Sequence, residues 1–394
     1  MINVGFIINY RLSGWLGVSN YYKNFFNSIN NIQNPKLKPV IITDYHFTKE
    51  EKLFFKGVNI IQTHLVDRKS RGKKIINNLL INIFGRNIFL DNFLKKKNIN
   101  IISHTSYLGK NSNIVSLKWF PDFQEIHLPK LFNSKQMLAR SYDIKMAARH
   151  STKVIISSVS VKNDLKKINN QAFKKGLIFK HVNEIIKPQK LKNYNYLKKK
   201  YFLKKKYFFL PNHFWKHKNH IVVLKALNHI KKKIDFEIIS SGNNTDYRFP
   251  NHFKYLENYI KEKKLEKYFR ILGVVPFGDV LSLMKYSVCV INPSLCEGWS
   301  NTVDQANCYG SKILLSDIDV HKEQKPYRGV YFKKHNYKDL ASKLIKVSSS
   351  RIRQKEEKMH ILKAYNESKL KRKEYAKNYQ NFIIKCLNKT DFIL

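Results

Sequence analysis

Short apolar runs punctuate the first half of the chain: "NVGFIIN" (3–9), "KPVIIT" (38–43), "VNIIQ" (58–62), "INIISH" (99–104), "NIVSLKWF" (113–120) and "KVIISS" (153–158). Between them lie segments with helical periodicity, 19–30, 73–96, 134–149 and 160–168. A basic stretch, 187–206, is followed by a second set of runs: "YFFLPN" (207–212), "FEIISSG" (236–242), "YFRILG" (268–273), "VCVINPS" (288–294) and "KILLSD" (312–317). Helical segments 219–233, 250–263, 277–286 and 300–309 alternate with these. Strands alternating with helices predict parallel sheets covered on both faces, here two doubly wound α/β domains in tandem. The expected division is 1–185, a basic linker at 186–206, 207–350, and C-terminal helices at 351–394 that pack back toward the first domain. Ile352, Met359, Leu362, Tyr365 and Leu370 are the candidate apolar positions of that last segment. Open α/β sheets bind ligands beyond the carboxyl ends of their strands, so residues just after the apolar runs are where chemistry is expected.

Composition narrows the class. The chain has 394 residues, 43% of them hydrophobic, which is enough for a substantial core and excludes wholesale disorder. Lys and Arg number 74 against 28 Asp and Glu, so the formal charge is 74 − 28 = +46. That balance favours anionic ligands and surfaces, although the abundance of Lys, Asn and Ile also fits a drift in composition without functional meaning. Cys289, Cys296, Cys308 and Cys386 form no CxxC pair and no zinc-ligand spacing. Buried thiols in a reducing compartment are expected. The first residues read as a core strand without a basic n-region, and no apolar run reaches eighteen residues. The expectation is a protein on the cytoplasmic side, without signal peptide or membrane span.

Several strand ends carry polar groups. In "PSLCEGWSNTVDQA" (293–306) Glu297 lies between a strand-like run and a helix beginning near Ser300, with Gly298 permitting close backbone approach. On its own Glu297 reads first as a helix cap, although a carboxylate there could also accept hydrogen bonds from sugar hydroxyls. "FFLPNHFWKHKNH" (208–220) places Lys216 and Lys218 before a helix. "NYRLSGWLGVSN" (9–20) holds Gly14 and Gly17 around Trp15 and Leu16, a turn suited to a phosphate or a sugar. "LKWFPDFQEIHLPKLF" (117–132) holds Asp122 and His127.

The segment "PSLCEGWSNTVDQANCYGSKILLSD" resembles the donor-binding segment of retaining glycosyltransferases of GT-B architecture, the family-4-type "glycosyl transferases group 1" enzymes of surface-polysaccharide and lipopolysaccharide synthesis. The resemblance covers most of the chain and is sharpest from 207 to 325. It implies two Rossmann-like doubly wound domains facing across a cleft. It also implies that Glu297 contacts donor-sugar hydroxyls, and that Gly298, Trp299, Ser300, Asn301 and Thr302 line the donor. Gln305 stands where the family has a second Glu on the nucleotide ribose. This is a departure, since an amide is a neutral partner with one acceptor oxygen; Asp304 could help only through a shift of register. Lys218, with Lys216 as alternate, matches the cation on the donor diphosphate, and His213 falls near the family's Arg. Gly17 belongs to a loop opposite the donor, where Trp15 is either an acceptor contact or a packed aromatic. Gly242 and the Val274–Pro276 loop match landmarks near the nucleotide. Many relatives have His-Asp after the strand that ends at 120. Here Pro121 replaces that His while Asp122 is kept, leaving His127 and His104 as nearby histidines.

The implied chemistry is cleavage of a nucleotide-sugar, with Lys218 and helix dipoles stabilising the departing diphosphate and the sugar passing with retention to a glycan or lipid-linked acceptor. No paired-carboxylate signature of glycosidases and no DxD-type metal motif stands in these segments, so neither metal nor cofactor is expected. In 68–97, Ile75, Ile76, Leu79, Leu80, Ile83 and Phe84 form a helical stripe between basic clusters. It reads either as a helix packed on the sheet or as a patch for an anionic membrane surface. Competing readings are a GT-B sugar epimerase, a degenerate transferase, and a basic nucleic-acid binder. Against the last, no RNP, helix-turn-helix or zinc-finger pattern is present, and nucleic acid is not an expected partner.

Overall fold

The computed structural model describes residues 1–9, 16–67, 71–104, 107–180, 183, 187–349 and 354–388; Gly14, Trp15 and Ile352 lie outside them. Two compact units divide the chain. Unit 1 comprises Met1–Ile126, Phe132–Asn183 and Lys371–Leu394, and unit 2 comprises His127–Leu131 and Glu184–Leu370.

Unit 1 carries seven strands: β1 (Ile2–Ile7), β2 (Leu37–Thr43), β3 (Asn59–Gln62), β4 (Ile99–Ser103), β5 (Val115–Phe120), β6 (Lys153–Ile156) and β7 (Gly176–Ile178). They form one sheet in the order β3-β2-β1-β4-β5-β6-β7, every pairing parallel. Val4, Phe6 and Ile8 alternate toward one face, where they meet Phe25, Phe26, Tyr379 and Ile383. On the other face Gly5 lets Ile42, Ile99 and Ile102 close over β1, since a Cβ at Gly5 would lie 2.9 to 3.2 Å from their side chains.

Unit 2 carries β8 (Lys206–Leu210), β9 (Phe236–Ser240), β10 (Phe269–Ile271), β11 (Cys289–Asn292), β12 (Ile313–Ser316) and β13 (Gly329–Phe332). The order is β10-β9-β8-β11-β12-β13, again all parallel. Phe208, Ile238, Ile291 and Leu314 pack into one apolar layer, and Tyr207, Phe209, Ile239, Val290, Ile313 and Leu315 into the other. Both sheets reverse strand order beside their first strand, between β1 and β4 and between β8 and β11. Connections leave opposite faces there, so the two strand ends are free to hold a ligand.

Several sequence expectations are corrected in detail. The edge strands β7 and β13 are not expected from the apolar runs; both are short and only partly buried. The single segment 73–96 is two helices, Arg71–Phe84 and Ile88–Lys96, broken at Gly85, whose φ is +68°. The packed-helix reading of the 73–84 stripe also fails: Ile75, Ile76, Leu79, Ile83 and Phe84 are each at least half exposed. The basic stretch 186–206 contains a helix, Tyr194–Tyr201, whose Leu197 is fully buried in unit 2. In the long helix Gln354–Leu387, the proposed apolar positions Met359, Leu362 and Leu370 are exposed. Its buried face is Tyr375, Ala376, Tyr379, Ile383 and Cys386, which fall at helical spacing in unit 1. All four cysteines are buried free thiols. No helix among the described residues is long and apolar enough to cross a membrane.

Candidate functional site

The switch point of unit 2 gathers the charged groups. The chain leaving β8 makes a short turn, Lys216–Lys218, and enters the helix His220–Ile230 through Asn219 in the left-handed conformation, φ +56°. The chain leaving β11 enters the helix Asn301–Cys308, with Ser300 as its N-cap. Backbone and side-chain bonds join these neighbouring loops. Leu295 N–H donates to the His217 carbonyl at 2.8 Å, and Asn219 Nδ2 donates to the Pro293 carbonyl at 3.2 Å. Across the join, Lys218 Nζ donates to Glu297 Oε1 at 2.6 Å. The two side chains are 16% and 10% exposed, so the pair is shielded yet reachable from solvent. Short charge-assisted bonds of this kind are the stronger class.

Behind the pair lies a buried polar network. Asn292, the last residue of β11, accepts at Oδ1 from Asn212 Nδ2 (3.1 Å) and donates from Nδ2 to Ser300 Oγ (2.6 Å). Asn212 Oδ1 accepts from Thr302 Oγ1 at 3.0 Å. Ser294 Oγ lies 2.6 Å from Glu297 Oε1 and 2.8 Å from Asn292 Oδ1. A hydroxyl has one proton, and the carboxylate is the stronger acceptor. Glu297 Oε1 is therefore held by Lys218 and Ser294 together, while the described residues make no hydrogen bond to Oε2. That oxygen can accept from a ligand hydroxyl.

Four histidines surround the ammonium, and burial keeps them neutral. His213 is pushed down to about 4 by burial and then by Lys218, and its Nδ1 accepts from the Asn243 amide. His213 therefore supplies no positive charge at neutral pH and does not replace an arginine there. His217 is held well below its ordinary value, and His220 is pushed down to about 3, burial being the main cause in both. His321, fully buried, is pushed down to about 4 by burial although Glu297 opposes the shift. Its Nδ1 faces the Ser316 carbonyl at 2.9 Å and its Nε2 faces Asn292 Nδ2 at 3.4 Å, which assigns the proton to Nδ1.

A stability profile follows from His321. A folded value of about 4 against an ordinary 6.5 means the unfolded chain binds more protons between those limits. Stability is full above about pH 6.5 and is lost as pH falls toward 4. The loss is up to about 3 kcal/mol from this residue. Melting temperatures measured from pH 7.5 down to 5 are expected to fall for the wild type and to fall less steeply for His321→Gln; parallel profiles would remove His321 from the linkage.

The remaining sequence candidates separate. Gly242, at φ +150°, packs against the Asn212 carbonyl and links by its N–H to the Gly273 carbonyl at 2.8 Å. Val274 and Pro276 are exposed in the following loop, with Pro276 capping the helix Phe277–Tyr286. Lys216 is exposed, its ammonium 4.3 Å from the Phe249 ring centre, while Lys218 meets the acid. Gly298 is buried, and Asn301 and Gln305 are half-buried on the helix that Ser300 caps. Asp304 accepts from Trp299 Nε1 (2.6 Å) and from Gln324 Nε2 (3.1 Å), so its carboxylate braces the loop. Gly17 falls in the first turn of the helix Leu16–Asn30, which starts earlier than the sequence predicts. Asp122, after β5 in unit 1, accepts from Gln124 and lies 3.4 Å from Arg140 Nη2. His127 is exposed at the end of the short helix Gln124–His127. His104, after β4, is buried at φ +64°, with Nε2 2.6 Å from Tyr21 Oη and Nδ1 2.8 Å from Ser103 Oγ.

Asn212, Asn292, Ser294, His217 and His321 were not singled out by the sequence. A polar residue closing the apolar run "VCVIN" is the one local signal that marks Asn292. Among the described residues no group of three or more His, Cys, Asp or Glu is arranged to hold a metal.

Comparison with known proteins places this architecture. A glycosyltransferase from Rickettsia africae ESF-5 superposes with a TM-score of 0.71 at 17% identity, covering 99% of each chain. Anabaena Alr3699/HepE, solved with UDP and glucose, gives 0.66 at 12% identity, covering 98% of this chain and all of that one. The lipopolysaccharide outer core galactosyltransferase WaaB gives 0.63 at 16%, covering 98% and 99%. The fold is GT-B, two Rossmann-like parallel-sheet units. Residues 195–368, most of unit 2 and all of the Lys218–Glu297 site, match the family Glycosyl transferases group 1. No protein of curated function matches the sequence significantly.

Proposed function

We propose that this protein transfers a sugar from a nucleoside diphosphate donor to a glycan or lipid-linked acceptor, with retention of configuration and without a metal, in cell-surface polysaccharide or lipopolysaccharide synthesis on the cytoplasmic side. The observation that carries the reading is the contact of Lys218 with Glu297 at the switch point of a glycosyl transferases group 1 domain.

In this reading the donor diphosphate lies against Lys218 and the N-terminal end of the helix Asn301–Cys308, and Glu297 Oε2 accepts from a donor-sugar hydroxyl. The bond from the anomeric carbon to the phosphate oxygen breaks with its electron pair going to the phosphate, which a fixed ammonium stabilises. The acceptor hydroxyl forms the new bond on the same face and gives its proton to the departing phosphate, so no second carboxylate is needed. Gln305 binds the ribose as a neutral partner, and the Val274–Pro276 loop borders the base. The solved relative with UDP and glucose is consistent with such a donor.

Thermal denaturation against a panel of nucleoside diphosphate sugars tests the reading. One donor is expected to raise the melting temperature, since a ligand at 100 times its Kd adds about 2.7 kcal/mol. Glu297→Ala is expected to lose most of that rise for the sugar and little of it for the bare nucleoside diphosphate. A panel with no stabilising member overturns the proposal.

A further inference from the structure

The helix Arg71–Phe84 faces the wrong way for a packed amphipathic helix. Ile75, Ile76, Leu79 and Ile83 are 61%, 50%, 52% and 69% exposed, and at 3.6 residues per turn they fall within about 100° of arc. Phe84 (53%) and Phe89 (58%) extend the patch across the turn at Gly85. The side toward the protein is carried by buried Ile81 and the half-buried Asn77, Asn78 and Leu80. Large apolar side chains gathered at one place on a surface mark an interaction site.

The charges nearby identify what kind. Residues 68–74, "RKSRGKK", are five-sevenths basic, and no acid occurs from 68 to 90. The next acid, Asp91, is buried and accepts from Ser112, so it presents no charge outward. Lys95, Lys96 and Lys97 follow, all exposed. Along the sequence the exposed apolar residues are thus preceded and followed by basic runs, on a chain of net charge +46. A second copy would bring like charges together. An anionic bilayer surface satisfies both parts, taking the isoleucines, leucine and phenylalanines into the acyl boundary and the Lys and Arg groups among phosphate headgroups.

We propose that the outward face of the helix Arg71–Phe84, with Phe89, is a docking surface for an anionic lipid bilayer. The inference does not rest on donor chemistry. Co-sedimentation of the full chain with vesicles tests it, using phosphatidylcholine alone and phosphatidylcholine mixed equally with phosphatidylglycerol. The probe variant is Leu79→Glu/Ile83→Glu, and the control is Tyr255→Glu/Leu370→Glu, which makes the same charge change at exposed positions elsewhere. All four sites are exposed, so melting temperatures are expected to match the wild type. Wild type and control are expected to bind the anionic vesicles more tightly than phosphatidylcholine alone, with binding that weakens as salt is raised but is not abolished, while the probe variant binds roughly tenfold or more weakly. Equal loss in probe and control would show that bulk charge alone drives adsorption. A dimer in light scattering that the probe variant splits, without vesicle binding by the wild type, would assign the face to a second copy. Either result overturns the proposal.

Discussion

Under the proposed donor chemistry, Lys218→Ala is expected to lower kcat for donor cleavage by about 10²–10³-fold, the usual cost of removing one group that stabilises charge developing in the transition state. The geometry explains why the effect falls on kcat more than on donor affinity. The ammonium can donate three hydrogen bonds, and Glu297 Oε1 takes one at 2.6 Å. It can therefore keep that carboxylate and still meet phosphate oxygens. Glu297 holds it in place, so no reorganisation is needed as negative charge gathers on the leaving group. The neutral histidines around it cannot substitute, since burial denies His213 and His217 the second ring proton that would charge them at neutral pH. The variant is expected to stay folded, because Glu297 retains the Ser294 hydroxyl and lies near enough to the surface to be hydrated. Lys218→Arg keeps the charge but not its placement and is expected to fall between the two. Single-turnover release of nucleoside diphosphate, measured beside the melting temperature, checks the prediction. A folded Lys218→Ala protein with wild-type kcat would remove this residue from the chemistry.

How much of this was legible in the sequence depended on whether the information is local. The strands of both sheets announce themselves as apolar runs because parallel strands are buried on both faces. The edge strands β7 and β13 escape because they are short and half-covered. Lys218 and Glu297 were readable as neighbours, since both follow core strands and the doubly wound order sets β8 beside β11. The network behind them was not. Asn292 meets Asn212 across 80 residues and His321 across 29, and a polar side chain on a strand does not declare its partner. His213 shows a second limit: the resemblance sets it near the family's Arg, and burial makes it neutral. The helix Arg71–Phe84 shows a third. Period reveals that a helix has an apolar side, but which side meets the protein is decided by the rest of the fold. The same is true of the long helix Gln354–Leu387, whose packing stripe runs through Tyr375 and Tyr379 and not through Leu362 or Leu370.

The loop after β9 gives the other large expected effect. Gly242→Ala is expected to cost unit 2 about 3–5 kcal/mol, from positive-φ strain together with an overlap that cannot relax. At φ +150° a Cβ would lie 2.5 Å from the Asn212 carbonyl oxygen and 2.8 Å from both Asn212 C and His213 N. These are backbone atoms of the loop leaving β8, so no rotamer change relieves the contact. The loop would have to move, and with it the Asn212 side chain that ties Asn292 to Thr302. For a unit of this size the melting temperature is expected to fall by about 10 °C, taking 2–4 °C per kcal/mol. Donor binding is expected to weaken in the molecules that remain folded. Gly273→Ala is the matched comparison. It has φ +68°, it is the hydrogen-bond partner of Gly242, and nothing lies within 4 Å of its Cβ position. Only backbone strain remains there, about 1–2 kcal/mol. The contrast separates conformational strain from collision. If the two alanine variants melt together, the close approach of the β8 and β9 loops is not what shapes this site, and the placement of Lys218 must have another support.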